Sequence, residues 1–288
     1  MTRTTEAFAF TETDRTKSKW VSSVYRDFVN ETGRARTTLR GLFYFALQRK
    51  ASDYPICGGF VGEIRITRPY HENDGEKLAK WASKARTLGF IPADALLEEK
   101  SGMGEKEIFL PISDSTPAPR REVWTSKQSL NPLLYPVCKK HNATLISVES
   151  GATTVAVDAL CQRGNSPAQI LCLSDLSAKG AFFARELAAA IKARQTDGCA
   201  AIEVRSLGLH PQQILDWKIP MIQAGRGSGP DKESKEERNA FKRYLQSFGL
   251  DGKGMAEIDA LEVYYPGGIA AFLDEMLSRD RRCPPEVL

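Results

Sequence analysis

Tyr44 lies in the segment Thr38-Leu-Arg40-Gly-Leu-Phe-Tyr44-Phe-Ala-Leu-Gln48. On a helix it stacks one turn after Arg40 and one turn before Gln48, beside Gly41. That spacing turns it away from the apolar stripe of Leu39, Leu42, Phe43 and Leu47. A phenol beside a guanidinium and a glycine gap has the chemistry to approach a phosphate. A tyrosine oxygen can also attack phosphorus and form a covalent intermediate. The same spacing equally suits a tyrosine that covers a domain edge with its hydroxyl in water. Arg34, Arg36 and Arg40 gather at the start of this helix, where contact with phosphates and contact with water are both open.

A second acid-bearing segment is Leu171-Cys-Leu-Ser-Asp175-Leu-Ser177-Ala-Lys-Gly180. It reads as a strand that ends in an acid and turns into a helix over 179–194, so Asp175 is placed to cap that helix. Other chemistries find less support. The six cysteines form no C-x-x-C pair, and with His71, His141 and His210 equally dispersed no zinc-site spacing arises. Most of the cysteines lie in apolar stretches and are expected to be buried, reduced thiols. The segment Gly249-Leu-Asp-Gly-Lys-Gly254 lacks the spacing of a phosphate-cradling Walker loop, which argues against an intrinsic ATPase.

Two rhythms position these residues. Residues 1–15 are polar and threonine-rich and are expected to form a frayed tail. Helical spacing of Trp20, Val21, Val24 and Phe28 predicts a helix over 17–28, broken by Asn30-Glu-Thr-Gly33-Arg34. Further helices are expected over 37–49 and 76–88, the latter carrying Leu78, Trp81, Ala82 and Ala85. Three helices in residues 16–99 with basic residues at the turns fit a helix-turn-helix variant. Glycines and prolines over 100–119 mark a linker. Strand-like runs at 122–125, 144–148, 170–174 and 201–204 then alternate with helical stretches at 132–140, 153–161, 179–194 and 211–217. That alternation predicts an α/β domain over 120–288 with a parallel sheet and crossover helices. Gly225-Arg-Gly-Ser-Gly-Pro230 leads as a flexible loop into a charged helix at 232–245. Its lysines and Arg238 make either a solvated face or a surface for a DNA backbone.

The chain has 288 residues, 42% hydrophobic and 26% charged, which is ordinary for a globular protein with a packed core. Its formal charge of +4 is mildly basic and admits nucleic acid without demanding it. No apolar run approaches the ~18 residues of a membrane span, and Arg3, Asp14 and Arg15 flank no signal-peptide core. The expectation is a cytoplasmic protein, associated with the nucleoid, that meets no membrane.

Arg40-Gly-Leu-Phe-Tyr44 resembles the "R-[DE]-[IV]-[FY]-Y" segment of topoisomerase VI A subunits and their meiotic double-strand-break relatives, with Gly41 where the family has an acid. The segment from Asp175 to Gly180 resembles the family's Toprim "D-x-D-P-x-G", with Ser177 and Ala178 at the second aspartate and the proline. Val123-Trp-Thr-Ser126-Lys127-Gln-Ser-Leu130 is similar to "V-E-K-x-x-L", which puts Ser126 where the family's glutamate belongs. Glu149, in Ser147-Val-Glu149-Ser-Gly151, is the alternative acid, although it falls one strand later. Glu203 to Ile214 resembles the "R-x-A-L-x-x-x-Q" segment. Glu257-Ile-Asp259-Ala-Leu261 resembles "E-L-D-A-L", and Arg86-Thr-Leu-Gly89-Phe-Ile-Pro92 resembles "R-x-x-G-x-I-P". These matches run in order from about residue 36 to about residue 265.

The resemblance implies an N-terminal winged helix-turn-helix domain followed by a Toprim-like, Rossmann-like parallel-sheet domain. It implies double-stranded DNA as the partner, a homodimer in which tyrosine and metal acids come from different subunits, and a separate ATPase subunit. In the active form Tyr44 would attack a DNA phosphate, Arg40 would steady the developing charge and Asp175 would hold magnesium. Ser126 and Ser177 supply no full charge where two carboxylates are expected, and a hard divalent cation needs such charge. The resemblance therefore leaves three functions open. They are a strand-cutting transesterase, a non-catalytic DNA-binding or assembly protein, and a Toprim nuclease of a plasmid-defence type.

Overall fold

The computed structural model describes residues 10–50, 52–97, 108–109, 120–148, 157–158, 160, 167–194, 201–222 and 234–279. The chain divides into two compact units, Met1–Leu97 and Glu98–Leu288. Glu149, the Gly225–Pro230 loop and most of the expected 100–119 linker lie outside the described residues.

In the first unit, α1 spans Glu12–Thr32. The expected frayed tail ends earlier than its composition implies. Thr11 Oγ accepts the Asp14 N–H, and Asp14 reaches back to the Thr11 N–H, so these polar residues cap a helix. Gly33, at φ +68°, closes it in the left-handed region that glycine reaches without strain. Val21, Val24 and Phe28 form its buried face. β1 (Thr37–Thr38) leads into α2 (Leu39–Leu47). An antiparallel hairpin of β2 (Ile56–Val61) and β3 (Ile64–Arg68) follows, then α3 (Gly75–Thr87) and β4 (Leu96–Leu97), which pairs parallel with β1. A hairpin therefore stands between α2 and α3, where a helix-turn-helix has a turn of only ~3–4 residues.

Asp74 ties the hairpin to α3. The Arg68 guanidinium grips both its oxygens at 2.6 and 2.7 Å, Lys77 adds a contact at 2.9 Å, and the His71 N–H donates at 3.2 Å.

The second unit is built on a five-stranded sheet ordered β5-β7-β6-β8-β9. Its strands are β5 (Ile108–Phe109), β6 (Arg120–Thr125), β7 (Thr144–Ser147), β8 (Ala168–Leu173) and β9 (Ile202–Gly208). The last four run parallel to one another, and β5 pairs antiparallel with β7. Residues 108–109 thus form an edge strand inside the span read as a linker. Trp124, Ile146, Ile170 and Cys172 pack on Leu187 and Ile191 of α5 (Phe183–Lys192). α4 (Asn131–Lys140) connects β6 to β7 and packs on α9 (Gly268–Arg279). The crossovers leave in opposite lateral directions, so right-handed connections put α4 and α5 on opposite faces. A sheet covered on both faces explains why its strands read as unbroken apolar runs. β9 is the outer strand, half-exposed and carrying Glu203 and Arg205.

α6 (Pro211–Trp217), α7 (Lys235–Ser247) and α8 (Leu261–Tyr264) complete the unit. Cys138 and Cys172 are buried free thiols, and burial pushes Cys138 up to about 12. Among the described residues no helix is long and apolar enough to cross a membrane.

Candidate functional site

β6 connects to β7 on one side, and the chain then returns to lay β8 on the other side of β6. Strand order reverses between β6 and β8, and a crevice opens outside the carboxyl ends of strands at such a switch point. The register pairs Thr125 with Leu173, so the residues that follow both strands meet in that crevice.

The side chain that reaches Asp175 there is Lys127, one residue beyond the expected Ser126. Its ammonium lies 3.3 Å from Asp175 Oδ1 and 2.6 Å from Asp259 Oδ2. Asp175 Oδ1 also accepts the Ile258 N–H at 2.8 Å. The side chains of Lys127 and Asp175 are 13% and 19% exposed, and Asp259 is 1% exposed, so these charges have mostly left water. Burial pushes the Asp175 carboxyl up to about 6; Lys127 pulls it back, while Glu257 and Asp259 add to the rise. Burial works against the Lys127 ammonium as well, but Asp175, Asp259 and Glu257 outweigh it and hold that group well above the ordinary lysine value.

Ser177 serves the turn. Its Oγ accepts the Gly180 N–H at 3.0 Å, and Ser174 Oγ donates to the Gly180 carbonyl at 2.8 Å. Gly180 is required because a Cβ there would lie 2.1 Å from the Asp175 carbonyl oxygen. Asp175 contacts the Lys127 ammonium and the Ile258 N–H, and α5 starts after a short 3-10 turn with no side-chain cap. The helix-cap expectation for Asp175 is therefore replaced by an ion-pair role.

Magnesium does not fit the described residues of this corner. An ammonium already bridges Asp175 and Asp259 and is held by Glu257 as well, Ser126 is exposed and uncharged, and the Ser177 hydroxyl is engaged by Gly180. Among the described residues no three His, Cys, Asp or Glu side chains converge as a metal site.

Neither Lys127 nor Asp259 is among the residues to which the sequence assigns a role in the site. Both stand inside the motif-like segments, so the signal was a lysine and an aspartate at fixed places in two separate segments.

A cationic groove adjoins the same turn. Its lining includes Ser177 and Ala178 together with the cations Lys235, Arg238, Lys242 and Lys253 and the apolar Phe241 and Met255, around a volume of about 690 Å³. No carboxylate stands among its described lining residues. The charged helix read as either a solvated face or a DNA-contacting surface thus turns part of its charge into this groove.

No known protein family, curated protein or solved structure matches the chain. What the crevice can do therefore rests on its own residues.

In the first unit, Tyr44 does not present a wet phenol. α2 buries Gly41 through Ala46 all round, and Tyr44 is 0% exposed. The expectation of a hydroxyl in water fails because this short helix packs against both α1 and α3. The Tyr44 ring meets Phe43 edge-on at 5.3 Å. The Arg40 guanidinium lies 4.0 Å from the Phe43 ring centre and 5.7 Å from that of Tyr44. Arg34 stacks 5.2 Å from the Phe28 ring centre, and Arg36 faces Asp94. Each of the three arginines thus has its own local partner.

Proposed function

We propose that this chain is a DNA-binding protein built on the plan of the topoisomerase VI A subunit, and that it holds duplex DNA without cutting it. The observation that carries the reading is the cationic groove beside the Asp175–Gly180 turn, lined by Lys235, Arg238, Lys242 and Lys253. Cations that neutralise phosphates release condensed counterions, which gives affinity independent of sequence. The sheet order around the groove is compatible with the family's parallel-sheet half, while its winged-helix half and its homodimer rest on the collinear resemblance along the chain alone.

Lys127 favours holding over cutting. An ammonium balances the charge of Asp175 and Asp259, but it cannot take several phosphate oxygens into its coordination shell as a divalent ion does. The burial of Tyr44 points the same way.

The test is fluorescence anisotropy of a short labelled duplex across a salt series. Affinity is expected to fall linearly on logarithmic axes. Lys235→Ala and Lys253→Ala should each weaken binding and reduce the slope by about one. Duplex affinity indifferent to both substitutions would overturn the reading. Supercoiled plasmid incubated with magnesium should stay supercoiled and free of protein after denaturation. A covalent adduct that disappears in Tyr44→Phe would establish cutting instead.

A further inference from the structure

The first unit holds a second groove, of about 680 Å³, between α1, α3 and the β2–β3 hairpin. Its lining joins two kinds of side chain. Trp20, Trp81 and Phe60 supply aromatic surface, and Lys17, Lys77, Lys80 and Arg65 supply positive charge. Glu12 is the one carboxylate among the described lining residues.

The aromatic wall is ordered. Trp20 and Trp81 meet edge-to-face at 5.4 Å, and Trp20 is braced from behind by Tyr54 at 5.9 Å and Tyr70 at 5.3 Å. Phe60 stands opposite on the hairpin and is 67% exposed. It contributes little to the unit's own packing, and large exposed rings beside a concavity mark an interaction site. The Trp20 indole N–H is itself buried and finds no acceptor among the described residues, so Trp20 serves the wall through its ring.

Two of the four cations have partners inside the unit, and two have none among the described residues. Lys77 is paired with Asp74, and the Lys17 ammonium lies 5.8 Å from the Trp81 ring centre. Arg65 and Lys80 are exposed and have no ion pair among the described residues. Register pairs Phe60 with Arg65 across the hairpin, so a ring and a guanidinium share one face of it.

We infer that this groove binds single-stranded DNA, stacking an unpaired base against Phe60 and the Trp81 wall while Arg65 and Lys80 meet the flanking phosphates. Aromatic surface combined with a positively charged groove is the arrangement that holds single strands without regard to sequence. Paired bases keep their faces inside the duplex, so a duplex would use only the charge. An acidic peptide would likewise leave the rings without a planar partner. The inference stands apart from the duplex reading, because it concerns a different groove in the other unit.

The experiment uses the full chain and a thymidine oligonucleotide. The oligonucleotide should quench tryptophan fluorescence and bind in a salt-dependent way. Phe60→Ala should weaken that binding on the order of tenfold or more. Arg65→Ala with Lys80→Ala should weaken it and flatten its salt dependence. All three positions are exposed, so folding should be intact, which circular dichroism checks. Duplex affinity measured on the same variants should keep at least its Lys235- and Lys253-dependent part. Absence of quenching, or oligonucleotide affinity unchanged in Phe60→Ala, overturns the inference. So does equal competition by a poly-glutamate peptide. Loss of duplex binding in the Lys235 and Lys253 variants with oligonucleotide binding retained leaves both readings intact. Retained oligonucleotide binding with no duplex binding in the wild type would sink the proposed function alone.

Discussion

Asp74 in the first unit and Asp175 in the second are both carboxylates drawn out of water with a lysine in reach, yet their affinities for a proton shift in opposite directions. Asp74 has both oxygens taken, by Arg68 at 2.6 and 2.7 Å, Lys77 at 2.9 Å and the His71 N–H. Burial would raise its pKa, but these donors outweigh burial and hold the carboxyl well below the usual range. Asp175 has one backbone N–H and a lysine at 3.3 Å that leans closer to Asp259. Burial prevails there, and the carboxyl rises to about 6. The difference teaches that donor count, more than the presence of a cation, separates a saturated clamp from a poised group. Poised groups gather at functional sites, and Asp175 lies in the crevice that the sheet topology creates.

The largest expected effect breaks the second region. Lys127→Met leaves Asp175 and Asp259 without their shared cation and should cost about 3–5 kcal/mol in chemical denaturation. A loss under about 1 kcal/mol would mean that Lys127 is ornamental. In the first region Asp74→Ala should cost roughly 2–3 kcal/mol, less than a fully buried pair, because Arg68 and Lys77 keep partial contact with water.

A smaller effect sharpens the contrast through pH. Between the ordinary carboxylate value of 3.8 and about 6, folded Asp175 binds a proton that the unfolded chain releases. Its contribution to stability therefore grows as pH falls from 7 to 5, by about 1 kcal/mol, and Asp175→Asn should lack that gain. Asp74 runs the other way. Its depressed value stabilises fully above the ordinary range, and that stability is lost as pH falls below it. Hydrogen exchange resolved by peptide separates the two. Identical pH dependence of wild type and Asp175→Asn in β6 and β8 would contradict the assignment. The smallest expected effect is none at all. The wild-type melting midpoint should be the same in magnesium and in a chelator, and a rise of several degrees with magnesium would show that the corner does take the ion.

Much of the second unit was legible because its strands are covered on both faces. Runs such as Val123-Trp124, Leu145-Ile146 and Ile170 to Leu173 announce themselves without alternation. The Asp175–Gly180 turn was legible because only glycine tolerates the approach of the Asp175 carbonyl. The hairpin was not, since Phe60, Val61, Ile64 and Ile66 are exposed on both of its faces and leave no apolar–polar rhythm. The burial of Tyr44 was not legible either, because helical spacing assumes one wet face and α2 is buried all the way from Gly41 through Ala46. The partnership of Lys127 with Asp259 was hidden by a sequence separation of 132. Pairing at that distance is set by the fold and leaves no local trace.

The outer strand β9 carries one last consequence. Among the described residues nothing pairs with its far edge, where Glu203 and Arg205 stand on a half-exposed ladder. An open row of peptide groups invites a stray strand to dock, and charged side chains along it discourage that docking. The homodimer proposed above would therefore form through side-chain surfaces rather than by extending one sheet into another. Such a seam leaves the backbone of each copy unchanged when they part.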